Sequence, residues 1–446
     1  MKLHLSYPLH LLNQQQNNRY MTLSLFAYSA ATWMLEPFAG ILLKKRLKAG
    51  KERKQRLPER YGRTNNNRPP GKLIWMHGAS VGETSMLLNL FDKLKSSYDD
   101  HHLLITSQTL TSADMISVKA GKNVIHQMAP MDGPRSVDRF LSHWQPDIAI
   151  FAEGEIWPNL IRKTNKRNTP LFLINARMTQ KTLNNWKRRS NAAKKIFNCF
   201  YFTGAADEQT AQGIKDILGY PPDAIGNLKR AIEPPKCDPA ELEKWQTSLA
   251  NRQCLLAAST HAGEEVLALS AFQIFKRKYP DALLILVPRH PERAPEIIDH
   301  IKSYNLSFEQ RSYDKQTACA ASVLFADTIG EMGLWLRLAN SVYLGGANKP
   351  DVGGHNPIEP LKLRKTVFSG PHTFNFQDLV TALAPSASIT IGDTPDELAA
   401  FWMHALDGNN KPSATEPDWN YVDSVFSTVD EPLAVTLNAI RTKLEE

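Results

Sequence analysis

The chain has 446 residues, 42% hydrophobic and 22% charged, which suits two globular domains better than one core and excludes a disordered protein. A net charge of +8 favours an acidic partner such as phosphate groups, a membrane surface or nucleic acid. The four cysteines, Cys199, Cys237, Cys254 and Cys319, are widely spaced without a C-x-x-C pair, which argues against a disulfide framework or structural zinc and for a reducing compartment.

Residues 1–21 form a polar, Gln/Asn-rich extension without periodicity. The segment 22–68 then reads as a membrane-anchor helix with a basic flank. An apolar run from Thr22 to Leu43 is followed by Lys44, Lys45, Arg46, Lys48, Lys51, Arg53, Lys54 and Arg56. Glu36 and Pro37 interrupt the run, and a carboxylate at membrane depth costs about 2.5–3.5 kcal/mol. Shallow insertion or a single span on an anionic cytoplasmic leaflet both fit this pattern. The same residues also fit an amphipathic helix packed on its own domain. No small-residue cleavage site precedes the basic block, so a signal peptide fits poorly.

Between 69 and 232 short apolar runs alternate with helical stretches. Strands are expected at 72–76, 103–106, 148–151 and 171–174, as in a doubly wound sheet. The loop His77-Gly78-Ala79-Ser80-Val81-Gly82-Glu83 follows the first, and no G-x-G-x-x-G follows it, which weakens a dinucleotide reading. Glu83 lies in a glycine-flanked loop, or equally at a helix N-terminus stabilised by the dipole. Glu153 and Glu155 are two apart after an apolar strand, so extended backbone would put them on one side, where like charges raise one pKa. Pro234-Pro235 opens a linker over 233–250.

The segment 251–446 repeats the alternation. Strand ends at Ala258, Val287, Ala326 and Leu344 each run into small, glycine-rich or charged loops, where open α/β sheets bind ligands. Ser259 and Thr260 follow the first strand, Pro288-Arg289-His290-Pro291-Glu292-Arg293 the second, and Asp327 to Met332 the third. Gly353-Gly354-His355-Asn356-Pro357-Ile358-Glu359-Pro360 is the most telling run. Glycines allow close backbone approach, and a short helix starting near Asn356 would put Asn356 and Glu359 on its first turn, where anions bind. A glycine turn with an asparagine cap explains the same octet structurally. Helices are expected beyond residue 400.

The runs ASTHAGEE, LVPRHPER, DTIGEM, GGHNPIEP and SGPHTFNF, with HGASVGE, the RFL segment at 139–141, EGEIWPN, NAR and GNLK before them, span residues 60–380 in order. Together they resemble the 3-deoxy-D-manno-octulosonic acid (Kdo) transferases, which move Kdo from CMP-Kdo onto the lipid A precursor. The resemblance implies a GT-B glycosyltransferase: two Rossmann-like doubly wound α/β domains facing a cleft, with an N-terminal membrane-anchor helix. The N-terminal domain (69–232) would bind acceptor and the C-terminal one (251–446) the CMP-sugar, at the cytoplasmic face of the inner membrane. It also allows Met21 as the start.

The resemblance further implies roles. Glu83 matches the family's general base, since an acceptor hydroxyl must lose its proton as the sugar centre becomes oxocarbenium-like. Glu153 matches a residue supporting the transition state or acceptor, and Lys229 one that neutralises the leaving phosphate or the Kdo carboxylate. Glu155 fits a structural role equally well, bonding to backbone near Trp157. Arg289, beside Pro288, offers bidentate phosphate geometry. His290 and Arg293 are weaker choices. Gly330, Glu331 and Met332 would lie against cytosine, and Asn356, Pro357, Ile358 and Glu359 against ribose and phosphate. Ser259 and Thr260 would donate to phosphate or carboxylate, or cap a helix.

Three segments depart from the family pattern: Thr106 to Ser112, Lys229-Arg230-Ala231, and Gly345 to Asp351. They bear on the acceptor more than on the donor. No cofactor beyond the donor substrate and no metal are expected, since no ligand spacing is present. Nucleic acid is disfavoured because the basic residues cluster at 44–68 without interleaved aromatics. The competing reading is a GT-B transferase or epimerase using another nucleotide sugar.

Overall fold

The computed structural model describes residues 21–95, 101–119, 121, 123–250, 252–313, 319–407 and 416–446. The polar extension before residue 21 lies outside the described residues. The chain divides into two units, 1–232 with 428–446, and 233–427.

The first unit is built on a seven-stranded parallel sheet: β1 (Leu73–His77), β2 (His102–Ser107), β3 (Val124–Met128), β4 (Ile148–Ala152), β5 (Leu171–Ala176), β6 (Phe202–Ala205) and β7 (Ala224–Ile225). Their order is β3-β2-β1-β4-β5-β6-β7. Alternation along each strand feeds two cores. Leu73, Trp75, Phe151 and Leu173 pack on one face, and Ile74, Met76, Ile150 and Ile174 on the other. Burial on both faces is why these strands read as unbroken apolar runs.

The second unit repeats the plan with β8 (Cys254–Thr260), β9 (Leu283–Pro288), β10 (Phe308–Gln310), β11 (Val323–Phe325), β12 (Ser341–Leu344), β13 (Val367–Ser369) and β14 (Ile389–Ile391). The order is β10-β11-β9-β8-β12-β13-β14, all parallel. Leu256 and Ile285 point to one face, Leu255 and Leu284 to the other.

The expected linker at 233–250 is only partly a linker. Pro239–Ser248 is a helix capped by Asp238, which accepts from the Ala240 N–H at 2.9 Å. It buries Trp245 edge-on against Trp335, the ring centroids 5.5 Å apart, so it belongs to the core of the second unit. The stretch 251–446 is likewise not one domain. The last helix, Asp430–Glu445, packs Leu437, Ile440 and Leu444 into the first unit's core with Ile74 and Leu103.

The expected single anchor helix is broken in two. Leu23–Leu35 ends at a 3-10 turn, Glu36–Phe38, and Ala39–Lys48 follows. No helix among the described residues is long and apolar enough to cross a membrane. The interruption is Glu36 itself, whose buried carboxylate turns inward. It accepts the Ser136 N–H at 2.7 Å, the Ser136 hydroxyl at 2.5 Å and the Arg135 N–H at 3.1 Å, at the start of the helix Pro134–Trp144. There it satisfies donors that the helix cannot. Tyr28 adds a hydrogen bond to half-buried Asp132 (2.9 Å), and Leu25 joins the core. The outer side remains apolar: Leu23 is 83% exposed and Ile41 71%, with Phe26, Met34, Leu35, Phe38 and Leu42 also exposed.

The basic flank is partly spent on folding. Arg46 and Arg60 pair with buried Glu52, Arg56 with Glu59, and Arg53 with Asp114. Lys44, Lys45, Lys48 and Lys51 remain exposed.

Candidate active site

In an open parallel sheet, ligands meet the strands' carboxyl ends where strand order reverses. In the first unit that point lies between β1 and β4. The connection after β1 leads to Glu83 and the loop after β4 carries Glu153. Glu83 sits on the first turn of the helix Val81–Lys95 rather than in a loop. The residue is 7% exposed, and its carboxylate folds back to accept the Ala79 N–H (2.8 Å) and the Ser80 hydroxyl (2.6 Å). The tight turn needs Gly78, where a Cβ would stand 3.0 Å from that of Glu83. Burial and then the charge of Glu153 raise the Glu83 pKa, outweighing those two hydrogen bonds. A carboxylate so held is a stronger base than an ordinary glutamate once ionised.

Glu153 and Glu155 do not share a face. β4 ends at Ala152, and Glu153 takes a left-handed φ of 54°, so the chain turns between them. Glu153 Oε1 lies 2.6 Å from Lys229 Nζ and accepts from Asn175 Nδ2 at 3.3 Å. Glu155 instead bonds the side chain of Trp157 (2.8 Å) and His77 Nε2 (3.0 Å). Burial would raise the pKa of Glu155, but the His77 and Trp157 contacts together lower it. The raised pKa expected of the Glu153–Glu155 couple therefore falls on Glu83. Lys229 stands on a 3-10 turn, Leu228–Ala231, opposite the glutamate helix: a methyl at Gly82 would come within 3.6 Å of its Nζ.

In the second unit strand order reverses between β8 and β12. Ser259 is left-handed (φ 56°) at a register shift between β8 and β9, a strained turn at the end of β8. Thr260 is buried and its hydroxyl donates to Glu265 at 3.1 Å, so it is engaged in the fold. Arg289 is exposed beyond Pro288, with its N–H on the Thr260 carbonyl (2.9 Å). Arg293 is committed to Glu265 (2.9 Å) and Glu296 (2.7 Å). Gly330 is left-handed (φ 98°) and exposed just before Glu331 and Met332. The Glu331 carboxylate is held by Arg311 and Thr328.

The octet departs from the expected helix start. The helix is five residues, Ile358–Lys362, and Asn356 lies before it, its side chain accepting the Ile358 N–H at 3.0 Å. The structural use of Asn356 as a cap is therefore present. Pro357 and Ile358 are buried, and Glu359 is half-buried on the first turn. Gly353 and Gly354 both take φ near +84°.

Two features escaped the sequence reading. Glu264 is buried at the start of the helix Glu264–Lys276 and accepts N–H groups of Gly346 (2.8 Å), His261 (2.8 Å) and Asn348 (3.1 Å), tying the loop after β12 to that after β8. Burial still raises its pKa against these bonds. His261 and His355 face each other, Nε2 to Nε2, at 2.9 Å, with His290 edge-on to His261. Burial, then Arg289, holds His355 neutral, its pKa lowered to about 3. Nothing in sequence spacing joins positions 94 residues apart; the reversal of strand order does. Among the described residues no group of three or more His, Cys, Asp or Glu is arranged to hold a metal.

A family model described as 3-Deoxy-D-manno-octulosonic-acid transferase (kdotransferase) matches residues 55–232. The 3-deoxy-D-manno-octulosonic acid transferase of Rickettsia bellii is 32% identical over 383 residues, 86% of this chain and 91% of the relative. That of Haemophilus influenzae is 32% identical over 351 residues, 77% of this chain and 82% of the relative. The crystal structure of the C-terminal CMP-Kdo binding domain of WaaA from Acinetobacter baumannii is 29% identical, covering 44% of this chain and 98% of that one, with a TM-score of 0.36.

Proposed function

Because the chain belongs to the 3-deoxy-D-manno-octulosonic acid transferase family, we propose that it transfers Kdo from CMP-Kdo to the lipid A precursor, lipid IV(A), with Glu83 as general base. The identity over 86% of the chain, reaching both units, carries this reading. In the reaction the acceptor hydroxyl gives its proton to Glu83 while its oxygen bonds the anomeric carbon of Kdo. The bond from that carbon to the CMP phosphate oxygen breaks, and CMP leaves with the electron pair. Glu83 suits this role because its raised pKa lies nearer neutrality than that of a free carboxylate, which favours proton transfer. Glu153 and Lys229 form the adjacent charged pair, which supports a role for them in stabilising developing charge.

In the second unit, Arg289 is the exposed cation at the switch point and is proposed to meet the nucleotide phosphate. The Gly330–Met332 backbone would lie against cytosine, with Ser259, Asn356, Pro357, Ile358 and Glu359 around ribose and phosphate. Capping by Asn356 leaves its amide nitrogen as the group to reach a ligand. Thr260, already bonded to Glu265, acts by shaping the turn.

The apolar outer side of Leu23–Lys48, bordered by Lys44, Lys45, Lys48 and Lys51, is proposed to insert shallowly into the anionic cytoplasmic leaflet of the inner membrane. The break at Glu36 favours shallow insertion over a span. Incubation with CMP-Kdo and a tetra-acylated lipid A precursor, read by mass spectrometry, tests the activity; absence of a Kdo-mass adduct overturns it. Tighter binding of UDP than of CMP would favour another nucleotide sugar.

A further inference from the structure

Asn175 is a residue of unusual conformation with no part yet in the chemistry. It is 1% exposed near the end of β5 and holds a left-handed φ of 52°. Asparagine tolerates that conformation better than most side chains, but it still carries strain in a buried strand. Both ends of its amide are occupied. Oδ1 accepts the Leu228 N–H at 2.8 Å, the residue that opens the turn bearing Lys229. Nδ2 donates to Glu153 Oε1 at 3.3 Å, the oxygen that also meets Lys229 Nζ at 2.6 Å. One amide thus ties the loop after β4 to the turn after β7. The turn is further stiffened by Asn227, whose side chain accepts the Lys229 N–H at 3.2 Å.

We infer that Asn175 is a positioning residue that sets the Glu153–Lys229 pair beside Glu83. The inference rests on the assignment of those three residues to the reaction. Without the amide, Glu153 loses a fixed donor and the Lys229 turn loses its tether, so the ammonium no longer neutralises Glu153 at one place. The negative charge sensed by Glu83 then grows. The charges that reach Glu83 are those of Glu153 and Glu155 after β4, with Lys229 Nζ set against Gly82 on its own helix. Of these, the Asn175 amide holds Glu153 and the turn that carries Lys229.

The test uses the full chain and compares Asn175→Gly, Asn175→Asp, Glu153→Gln and Lys229→Met. Glycine keeps the left-handed backbone and deletes the amide. Aspartate keeps an acceptor for Leu228 and replaces the donor to Glu153 with a carboxylate, so it separates the two halves of the tether. Both Asn175 variants should lose at least tenfold in kcat with CMP affinity unchanged within about twofold, the order that general acid–base groups contribute when misplaced. The acid limb of the kcat/KM profile should move to higher pH in both, and to lower pH in Glu153→Gln, because Glu83 must be ionised to act. Normal kcat per folded molecule and an unmoved acid limb, with only a lower Tm, would overturn the positioning role. Wild-type turnover in Glu153→Gln and Lys229→Met would instead remove the assignment on which it rests.

Discussion

Glu83→Gln separates basicity from packing unusually well. In the native protein the carboxylate accepts from the Ala79 N–H and from the Ser80 hydroxyl. The glutamine oxygen can keep the first bond. Its amide nitrogen can donate to Ser80, because a hydroxyl accepts as readily as it donates. Two charge-assisted bonds become neutral ones, a loss of about 1 kcal/mol each. A buried charge is removed at the same time, and the raised pKa shows that this charge is costly to hold. The two effects oppose each other, so the stability change should stay within about 1 kcal/mol, or a few degrees in Tm. Turnover should fall 10²- to 10⁴-fold, the usual contribution of a general base and about 2.7–5.4 kcal/mol at 1.36 kcal/mol per decade. Initial rates with CMP-Kdo and lipid acceptor, calorimetry with CMP and thermal melts give the three quantities. Turnover within about threefold of wild type refutes the base. The native enzyme should also lose kcat/KM as pH falls through a value above the ordinary glutamate range, since a raised pKa leaves the base protonated at higher pH.

Arg289→Ala and Glu359→Ala should each weaken CMP binding by about 10- to 150-fold, the loss of one charged contact of roughly 1.5–3 kcal/mol; wild-type affinity in both by titration calorimetry moves the donor site elsewhere. Leu23, Phe26 and Ile41, all changed to Ser, should cut flotation with anionic vesicles at least tenfold without altering the melt, because each exposed side chain gives up part of about 1.5–3 kcal/mol of burial. Unchanged flotation removes the leaflet reading. Glu36→Ala should cost about 2 kcal/mol in urea denaturation, since it strips a cap from the helix Pro134–Trp144. Truncation at residue 44 or 69 would remove Leu25, Tyr28 and Glu36 from the first unit, so point substitutions are the cleaner control.

The interior strands were legible because burial on both faces demands continuous apolar runs, as at Leu283–Val287 and Ile148–Phe151. The outer strands were less so. β3 reads Val-Ile-His-Gln-Met, and its polar His126 and Gln127 are paired by Ser107 and Trp144, partners distant in the chain. The helix at Pro239–Ser248 was hidden for a similar reason. Its pattern is mostly polar, and a single tryptophan docks it.

At the site, resemblance to the Kdo transferases singled out Glu83, Glu153 and Lys229, and a place just past a strand end singled out Arg289. Their states were not readable, because a side chain's charge and orientation depend on groups brought near by other strands. Extended geometry suggested that Glu153 and Glu155 would act on each other, yet one left-handed residue sends Glu153 to Lys229 and Glu155 to His77. Glu36 looked like an obstacle to membrane burial until the fold supplied Ser136 and Arg135. The sequence by itself determined two doubly wound sheets and the polar and glycine-rich loops at their strand ends, since periodicity and local turn chemistry act over a few residues. Only the tertiary structure decided which carboxylate is buried, which is paired and which lysine neutralises it. Those are matters of distances between segments far apart in the chain, such as the 76 residues from Glu153 to Lys229, and the strand order sets them.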